Sequence, residues 1–361
     1  MCPRPHDGGI RERDGHPISY FAETTFRRQH TPFGIKQADR LSHIYMIGKT
    51  GVGKSTLLEV LARQDLEAGR GFALIDPHGD LAERVRDVAR HKLEDRLIYL
   101  DASDMRQPFG YNPLRRVRQD KIPLAAAGLL DALRKLWPDA WGVRMEHVLR
   151  NSLYALLERE DSALPDILRL YTDASFRMAV VSRLQNEVVR RFWTDEFEAY
   201  PDRYRAEVVA AIQNKLGALL TDPRLCRVLV APEKPVSFRR VLDEGGTLIV
   251  NLAKGRLGED GANLLGGLVV ATIGLAALSR AEGAPESRRP FFLYVDEFQS
   301  FTTLAFVNMM SELRKYGVGL TLAHQHLHQL DDDVRHAVLG NAGSLISFRV
   351  GAQDAAYLAR E

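Results

Sequence analysis

Cysteine is almost absent from this chain of 361 residues: Cys2 and Cys226 are the only two. Two thiols that far apart form neither a disulfide framework nor a zinc ligand set, which excludes the stapled secreted scaffolds and points to a reducing interior, the cytoplasm. An excess of one charge is also lacking, since 49 Lys and Arg face 47 Asp and Glu. No overall field draws in nucleic acid or an anionic membrane, so any polyanion must be met by a local surface. The first thirty residues contain no apolar stretch of the signal-peptide kind. There is no internal repeat and no low-complexity tract.

Long hydrophobic runs are missing with one exception. Gly261 to Leu278 passes 18 residues without a charge, the length at which a membrane-spanning helix becomes a candidate. The run holds Asn263 and four glycines and lies between two expected strands, which favours a helix buried inside an α/β domain. No integral membrane segment is therefore expected. What is present is ordinary globular material, 45% hydrophobic and 27% charged, enough chain for two to three domains' worth at about 150 residues each.

Four segments follow from texture. Residues 1–32 are polar and broken by Pro and Gly, with Arg11, Arg13, Arg27 and Arg28 as main charges, and read as an extended lead-in. Residues 33–113 alternate short apolar runs (IYMI, GFALID, RLIYLD) with helical stretches. That alternation implies parallel strands joined by crossover helices. Over 114–235 the strand signal vanishes: Leu129–Leu136, Met145–Leu157, Leu164–Tyr171, Phe176–Arg191 and Val208–Leu220 recur at helical spacing, an all-α insertion with 20 basic and 17 acidic residues. Residues 236–361 resume the α/β pattern with TLIVNL, FFLYVDEF, VGLTLA and SLISFRV. The expected fold class is α/β, a mostly parallel central sheet with an inserted all-α subdomain.

Chemistry concentrates in a few places. Gly48-Lys49-Thr50-Gly51-Val52-Gly53-Lys54-Ser55 fits G-x-x-x-x-G-K-[ST], after an expected strand and opening an expected helix. Its backbone N–H groups, with Gly48, Thr50, Gly51, Gly53 and Thr56, would cradle phosphates; Lys54 would reach the β/γ-phosphates and Ser55 would ligate Mg²⁺. The apolar strand Phe291–Val295 delivers Asp296 and Glu297 at its C-terminal end. Asp296 would hold Mg²⁺ through water and Glu297 would orient or deprotonate the attacking water; alone, such a pair is also just a strand end meeting solvent. His324 and Gln325 close the next strand, where ligands of open parallel sheets bind, and Gln325 is the favoured γ-phosphate contact. Arg314 ends a helix from Thr302: either favourable charge at a helix C-terminus or a finger reaching a neighbouring copy's γ-phosphate. His324, His326, His328 and His336 lack ligand-spaced partners and do not read as a metal site. Asn214-Lys215-Leu216-Gly217 lacks the Asp of a guanine-recognition NKxD, which disfavours GTP. Trp137, Trp141, Phe192 and Trp193 read as core.

The ordered set HIYMIGKTGVGKSTL, GFALIDPHGDL, YNPL, FFLYVDEFQSF, ELRKYGVGLTLAHQ and NAGSLISFRVG resembles the conjugative coupling proteins of type IV secretion, within the FtsK/HerA superfamily of DNA-pumping ATPases. The resemblance runs from about Phe33 to Glu361. It implies a RecA-like P-loop NTPase using ATP and Mg²⁺, assembled as a ring, a hexamer, that moves DNA without sequence specificity. It also implies secretion or relaxosome proteins as partners and a site at the cytoplasmic side of the inner membrane. By matched position it makes Lys54 and Ser55 the phosphate and Mg²⁺ residues, Asp296 and Glu297 the Walker B pair, Gln325 the phosphate sensor and Arg314 the finger in trans. Two departures stand out: the membrane helix pair that usually opens coupling proteins has no counterpart here, and the chain stops at Glu361 in an expected helix, Ala352 to Arg360, as a fragment or a short member would. The alternatives are an ATPase acting on protein, or in a plasmid, phage or defence system without DNA pumping, and a nucleotide-binding assembly subunit without turnover.

Overall fold

Each of the seven short apolar runs is a strand, and together they make one sheet. The computed structural model describes residues 18–25, 30–93 and 96–360. In chain order the strands are β1 (Ile18–Glu23), β2 (Pro32–Lys36), β3 (Ile44–Ile47), β4 (Gly71–Asp76), β5 (Leu97–Asp101) and β6 (Phe109–Gly110). They continue with β7 (Lys234–Pro235), β8 (Thr247–Asn251), β9 (Phe291–Val295), β10 (Val318–His324) and β11 (Ser344–Ser347). The central sheet runs β11-β3-β10-β9-β4-β8-β5 with every pairing parallel. Parallel pairing needs long crossovers and buries both faces, which is why β3, β4, β8, β9 and β10 read as continuous apolar runs rather than alternating ones.

Successive side chains point to opposite faces. Tyr45, Ile47, Leu293, Val295, Leu320 and Leu322 face one cluster, while Ile44, Met46, Phe72, Phe292, Tyr294 and Ala323 face another beneath the helices Lys54–Glu67 and Asp80–Arg90. The first cluster continues without a break into the helices of the insertion. At its centre lies the helix Glu259–Leu278, packed against Ile122–Leu136 and Leu304–Leu313. It is the one described helix long and apolar enough to cross a membrane, and 78% of its apolar window is buried inside the protein.

Between β6 and β7 the described elements are helical, from Gln119–Lys121 through Pro223–Leu229. The two short strands pair with each other, Phe109 with Lys234 and Gly110 with Pro235, so the chain leaves and re-enters the α/β unit at one point. The expected helical stretch Phe176–Arg191 is divided. Ala174–Val181 ends, Asn186 caps Glu187–Arg191 by accepting from the Val188 and Val189 N–H groups, and Phe192–Phe197 winds as a π-helix. An α-helix would set Phe192 and Phe197 about 140° apart; the wider turn brings both onto the buried side with Trp193. Trp137 and Trp141 pack half-buried against the same cluster.

Most of the lead-in expected over 1–32, with Cys2, Arg11, Arg13, Arg27 and Arg28, lies outside the described residues. Its described part is not a free extension: β1 pairs antiparallel with β2, and the hairpin docks on the helix Lys54–Glu67. Gln64 acts there like a strand backbone, Oε1 accepting from Tyr20 N–H (3.1 Å) and Nε2 donating to the Tyr20 carbonyl (2.7 Å). Arg40, fully buried, donates to Ser19 Oγ and makes a two-pronged pair with Asp65 at 2.8 and 2.7 Å.

Candidate nucleotide-binding site

The C-terminal ends of β3, β10, β9 and β4 lie side by side, and the loops leaving them build the site. After β3 the phosphate loop is pinned at its start: the Gly48 N–H donates to the His324 carbonyl (3.3 Å) and the Lys49 N–H to the Arg349 carbonyl (3.0 Å). Gly53 adopts φ 107°, a left-handed conformation that a side chain would strain, and the helix starts at Lys54. The four free N–H groups of that first turn face the same space as the loop, an anion site by construction.

Lys54 Nζ donates to the Gly48 and Lys49 carbonyls, at 2.5 and 3.0 Å. Burial lowers its pKa, and the nearby Asp296 and Glu297 charges oppose that. Ser55 Oγ donates to Asp296 Oδ2 (2.8 Å). Burial raises the Asp296 pKa, and the like charges of Asp76 and Glu297 add to it, against the hydrogen bond from Ser55. A buried carboxylate with two others nearby and a hydroxyl on the phosphate loop is a hard-oxygen set short of positive charge. It fits Mg²⁺, which takes one or two protein ligands and completes its shell with water and phosphate.

The structure brings Gln325 and Glu297 together. Gln325 Nε2 donates to Glu297 Oε1 (2.7 Å), and Gln325 Oε1 accepts from Thr50 Oγ1 (2.9 Å). A single side chain just after β10 thus links the phosphate loop to the carboxylate after β9. Glu297 sits at φ 47°, ψ 48°, a left-handed conformation costing a side-chain-bearing residue on the order of 1–2 kcal/mol and one seen where structure holds a functional side chain in place. His324, by contrast, is fully buried between the rings of Tyr45 and Phe298 and belongs to the core.

Two residues escaped the motif reading. Asp76 ends β4 and His78 follows it; Asp76 organises the turn, and His78 Nε2 lies 3.2 Å from Glu297 Oε2. The signal was Asp76-Pro77-His78-Gly79-Asp80 at a strand end, but only the order β9-β4 brings it beside Glu297. Arg314 is not brought to the site of its own chain. It opens the short turn Arg314–Tyr316 before β10, exposed, with about 20 Å of strand between it and Gln325. Histidines 326 and 328 stack on each other, and among the described residues no three or more His, Cys, Asp and Glu side chains converge into a metal site made by the protein alone.

On the other flank of the phosphate loop lies a groove of about 720 Å³. Its walls are the β1–β2 hairpin (Phe21, Phe33), Gly53 and Thr56, and the edge strand β11 with Phe348.

A comparison with curated proteins finds no match. Among solved structures, the bacterial conjugative coupling protein TrwB in its trigonal form with sulphate superposes with a TM-score of 0.61 at 19% identity, over 90% of this chain and 74% of that one. TrwB with a non-hydrolysable ATP analogue gives 0.59 at 20%, over 86% and 71%. VirB4 of Thermoanaerobacter pseudethanolicus gives 0.62 at 15%, over 97% and 89%. At such identities the likeness is one of fold, the RecA-like arrangement of a mostly parallel sheet with a P-loop. The family model of the type IV secretion-system coupling protein DNA-binding domain matches residues 29–361. With almost the whole described chain inside that match, the protein belongs to the type IV secretion-system coupling protein DNA-binding domain family.

Proposed function

We propose that this protein is an ATPase that assembles as a ring of identical copies, a hexamer, and couples ATP hydrolysis to moving DNA without sequence specificity. The observation that carries the proposal is the run of contacts Thr50–Gln325–Glu297 beside Ser55–Asp296. A phosphate-binding loop, a water-activating carboxylate and a residue that senses both sit at the ends of neighbouring strands. TrwB has been solved with ADP and Mg²⁺ and with non-hydrolysable ATP and GTP analogues, which supports a nucleoside triphosphate as the ligand.

In this reading the triphosphate lies along the phosphate loop with its γ-phosphate toward Glu297 and its nucleoside in the groove beside Phe348. Gly48, Thr50, Gly51, Gly53 and Thr56 line the phosphates, and Lys54 leaves its carbonyl partners for the β/γ-oxygens. Ser55 and Asp296 would hold Mg²⁺, which when bound neutralises phosphate charge. Glu297 takes a proton from water as the water oxygen bonds to the γ-phosphorus. The bond from that phosphorus to the bridging oxygen breaks, giving ADP and phosphate. Gln325 reports the change to the loop. Arg314, turned away from its own site and exposed, supplies a cation to the γ-phosphate of the next subunit. DNA is held mainly through its phosphates, so binding weakens with salt. The motor works in the cytoplasm against the inner membrane, with secretion or relaxosome proteins as docking partners.

The test is steady-state ATP hydrolysis with and without single- and double-stranded DNA at two salt concentrations, with oligomeric state measured in the same buffer. Stimulation by DNA that fades with salt is expected. Hydrolysis indifferent to DNA would transfer the motor to a protein substrate, and nucleotide binding without turnover in an assembled ring would leave an assembly subunit.

A further inference from the structure

Glu297 is hydrogen-bonded from one strand end and faced by an imidazole from another. Gln325 holds one oxygen from the end of β10, and His78 approaches the other from the end of β4, Nε2 to Oε2 at 3.2 Å. The two contacts differ in kind. Gln325 is shared with Thr50 of the phosphate loop, so a ligand that moves that loop pulls on Gln325. His78 is tied to the other side of the site.

The turn that carries His78 is fixed at every residue. Asp76 accepts from the His78 N–H (2.9 Å) through one oxygen and from the Ala82 N–H (2.8 Å) through the other. The Pro77 carbonyl accepts from the Lys254 N–H (2.8 Å). Gly79 has φ 101°, and a Cβ there would stand 2.6 Å from Asn251 Oδ1. Asn251 is held in turn, donating to Tyr99 Oη and accepting from the Ala253 N–H, both at 2.9 Å. The imidazole at the tip of this rigid turn is 55% exposed, so core packing does not explain its placement. The backbone of this turn sets its aim at Glu297.

We propose that His78 is a positioning residue for Glu297: its Nε2–H holds Oε2 and leaves Oε1 to take the proton of the attacking water once Gln325 turns toward the nucleotide. The inference rests on the reading of Glu297 as the water-activating group. A carboxylate gripped through one oxygen keeps its rotamer while the other oxygen reacts, the orienting role that hydrogen-bond partners of catalytic groups commonly fill.

The experiment measures kcat and KM for ATP, together with equilibrium binding of a non-hydrolysable ATP analogue, for the parent, H78A, H78N, H78Q and E297Q. A glutamine amide reaches about as far as Nε2, whereas asparagine stops near Nδ1. H78A and H78N are expected to lose about ten- to a hundredfold in kcat, with KM and analogue affinity within about twofold of the parent. H78Q should stay within about threefold of the parent. Parental turnover by H78A alongside an inactive E297Q overturns the role of His78 alone. Parental turnover by E297Q overturns the reading of Glu297 and this inference with it. Weakened analogue binding in H78A, or no rescue by H78Q, makes His78 a part of the turn's architecture instead.

Discussion

In the proposed mechanism Lys54 and Glu297 separate binding from chemistry. Lys54 is the one ammonium on the phosphate loop's helix start, so Lys54→Ala is expected to weaken nucleotide binding about a hundredfold, the size of one lost charge-assisted contact. Glu297→Gln keeps the shape and the contact with Gln325 but removes the base. It should bind nucleotide normally while kcat falls by about 10²- to 10⁴-fold; titration with a fluorescent ATP analogue and a phosphate-release assay read the two separately. His324 gives a pH prediction with a definite sign. Burial pushes its pKa down to about 3, and burial lowers that of His43 as well, so the fold favours both imidazoles neutral. That stability is complete above the ordinary value of about 6.5 and is lost progressively as the pH falls from there toward 3. His324→Phe, which suits the aromatic stack with Tyr45 and Phe298, should show a smaller drop in melting temperature between pH 7.5 and pH 5 than the parent. An equal drop would show that His324 binds its proton equally in the folded and unfolded states.

Elements are joined by a buried polar node. Arg40 ends the short helix Gln37–Arg40, Asp65 lies in the helix Lys54–Glu67 and Tyr294 lies in β9, and all three are bonded to one another with no exposure. The Arg40 guanidinium also stacks 3.7 Å over the Phe292 ring. Removing one partner strands a buried charge, which costs more than the pair contributes. Asp65→Ala is expected to cost about 3–5 kcal/mol in denaturant unfolding, whereas the double change Arg40→Met with Asp65→Leu should recover most of it. Failure of the double variant to recover would mean that the node specifies how the hairpin docks, as well as balancing charge.

For the whole molecule the question is where Arg314 acts. It lies at the opposite end of β10 from Gln325, so the proposed finger role requires that it act at the site of another copy. Arg314→Ala should lose activity as a homogeneous ring. Mixed with Lys54→Ala, which is silent at its own site but carries an intact Arg314, it should regain part of that activity; a linear loss across mixing ratios would return Arg314 to a helix-end charge. With acidic and basic residues near balance, the proposed ring would hold DNA by a local basic surface rather than by an overall field.

Strands β3, β4, β8, β9 and β10 were legible because each is an apolar run buried on both faces, and the phosphate loop because glycine, lysine and serine at fixed spacing have one geometric use. Gly261 to Leu278 was legible as a buried helix from its asparagine and glycines. The hairpin β1–β2 was not, since Pro32, Gly34 and the polar residues around them carry no alternation; Gln64 and Arg40 dock it through contacts that no local pattern encodes. The π-helix Phe192–Phe197 was hidden for a similar reason: its period follows from which aromatics the core can take. Gln325 and Glu297 were each readable as strand-end polar groups, but their bond depends on β10 and β9 being neighbours. His78 shows the division most sharply. The sequence determined that a turn of Asp, Pro, His and Gly follows a buried strand, while the order β10-β9-β4 alone decided that its imidazole meets a carboxylate 219 positions later, because parallel strands place their C-terminal loops together irrespective of their distance along the chain.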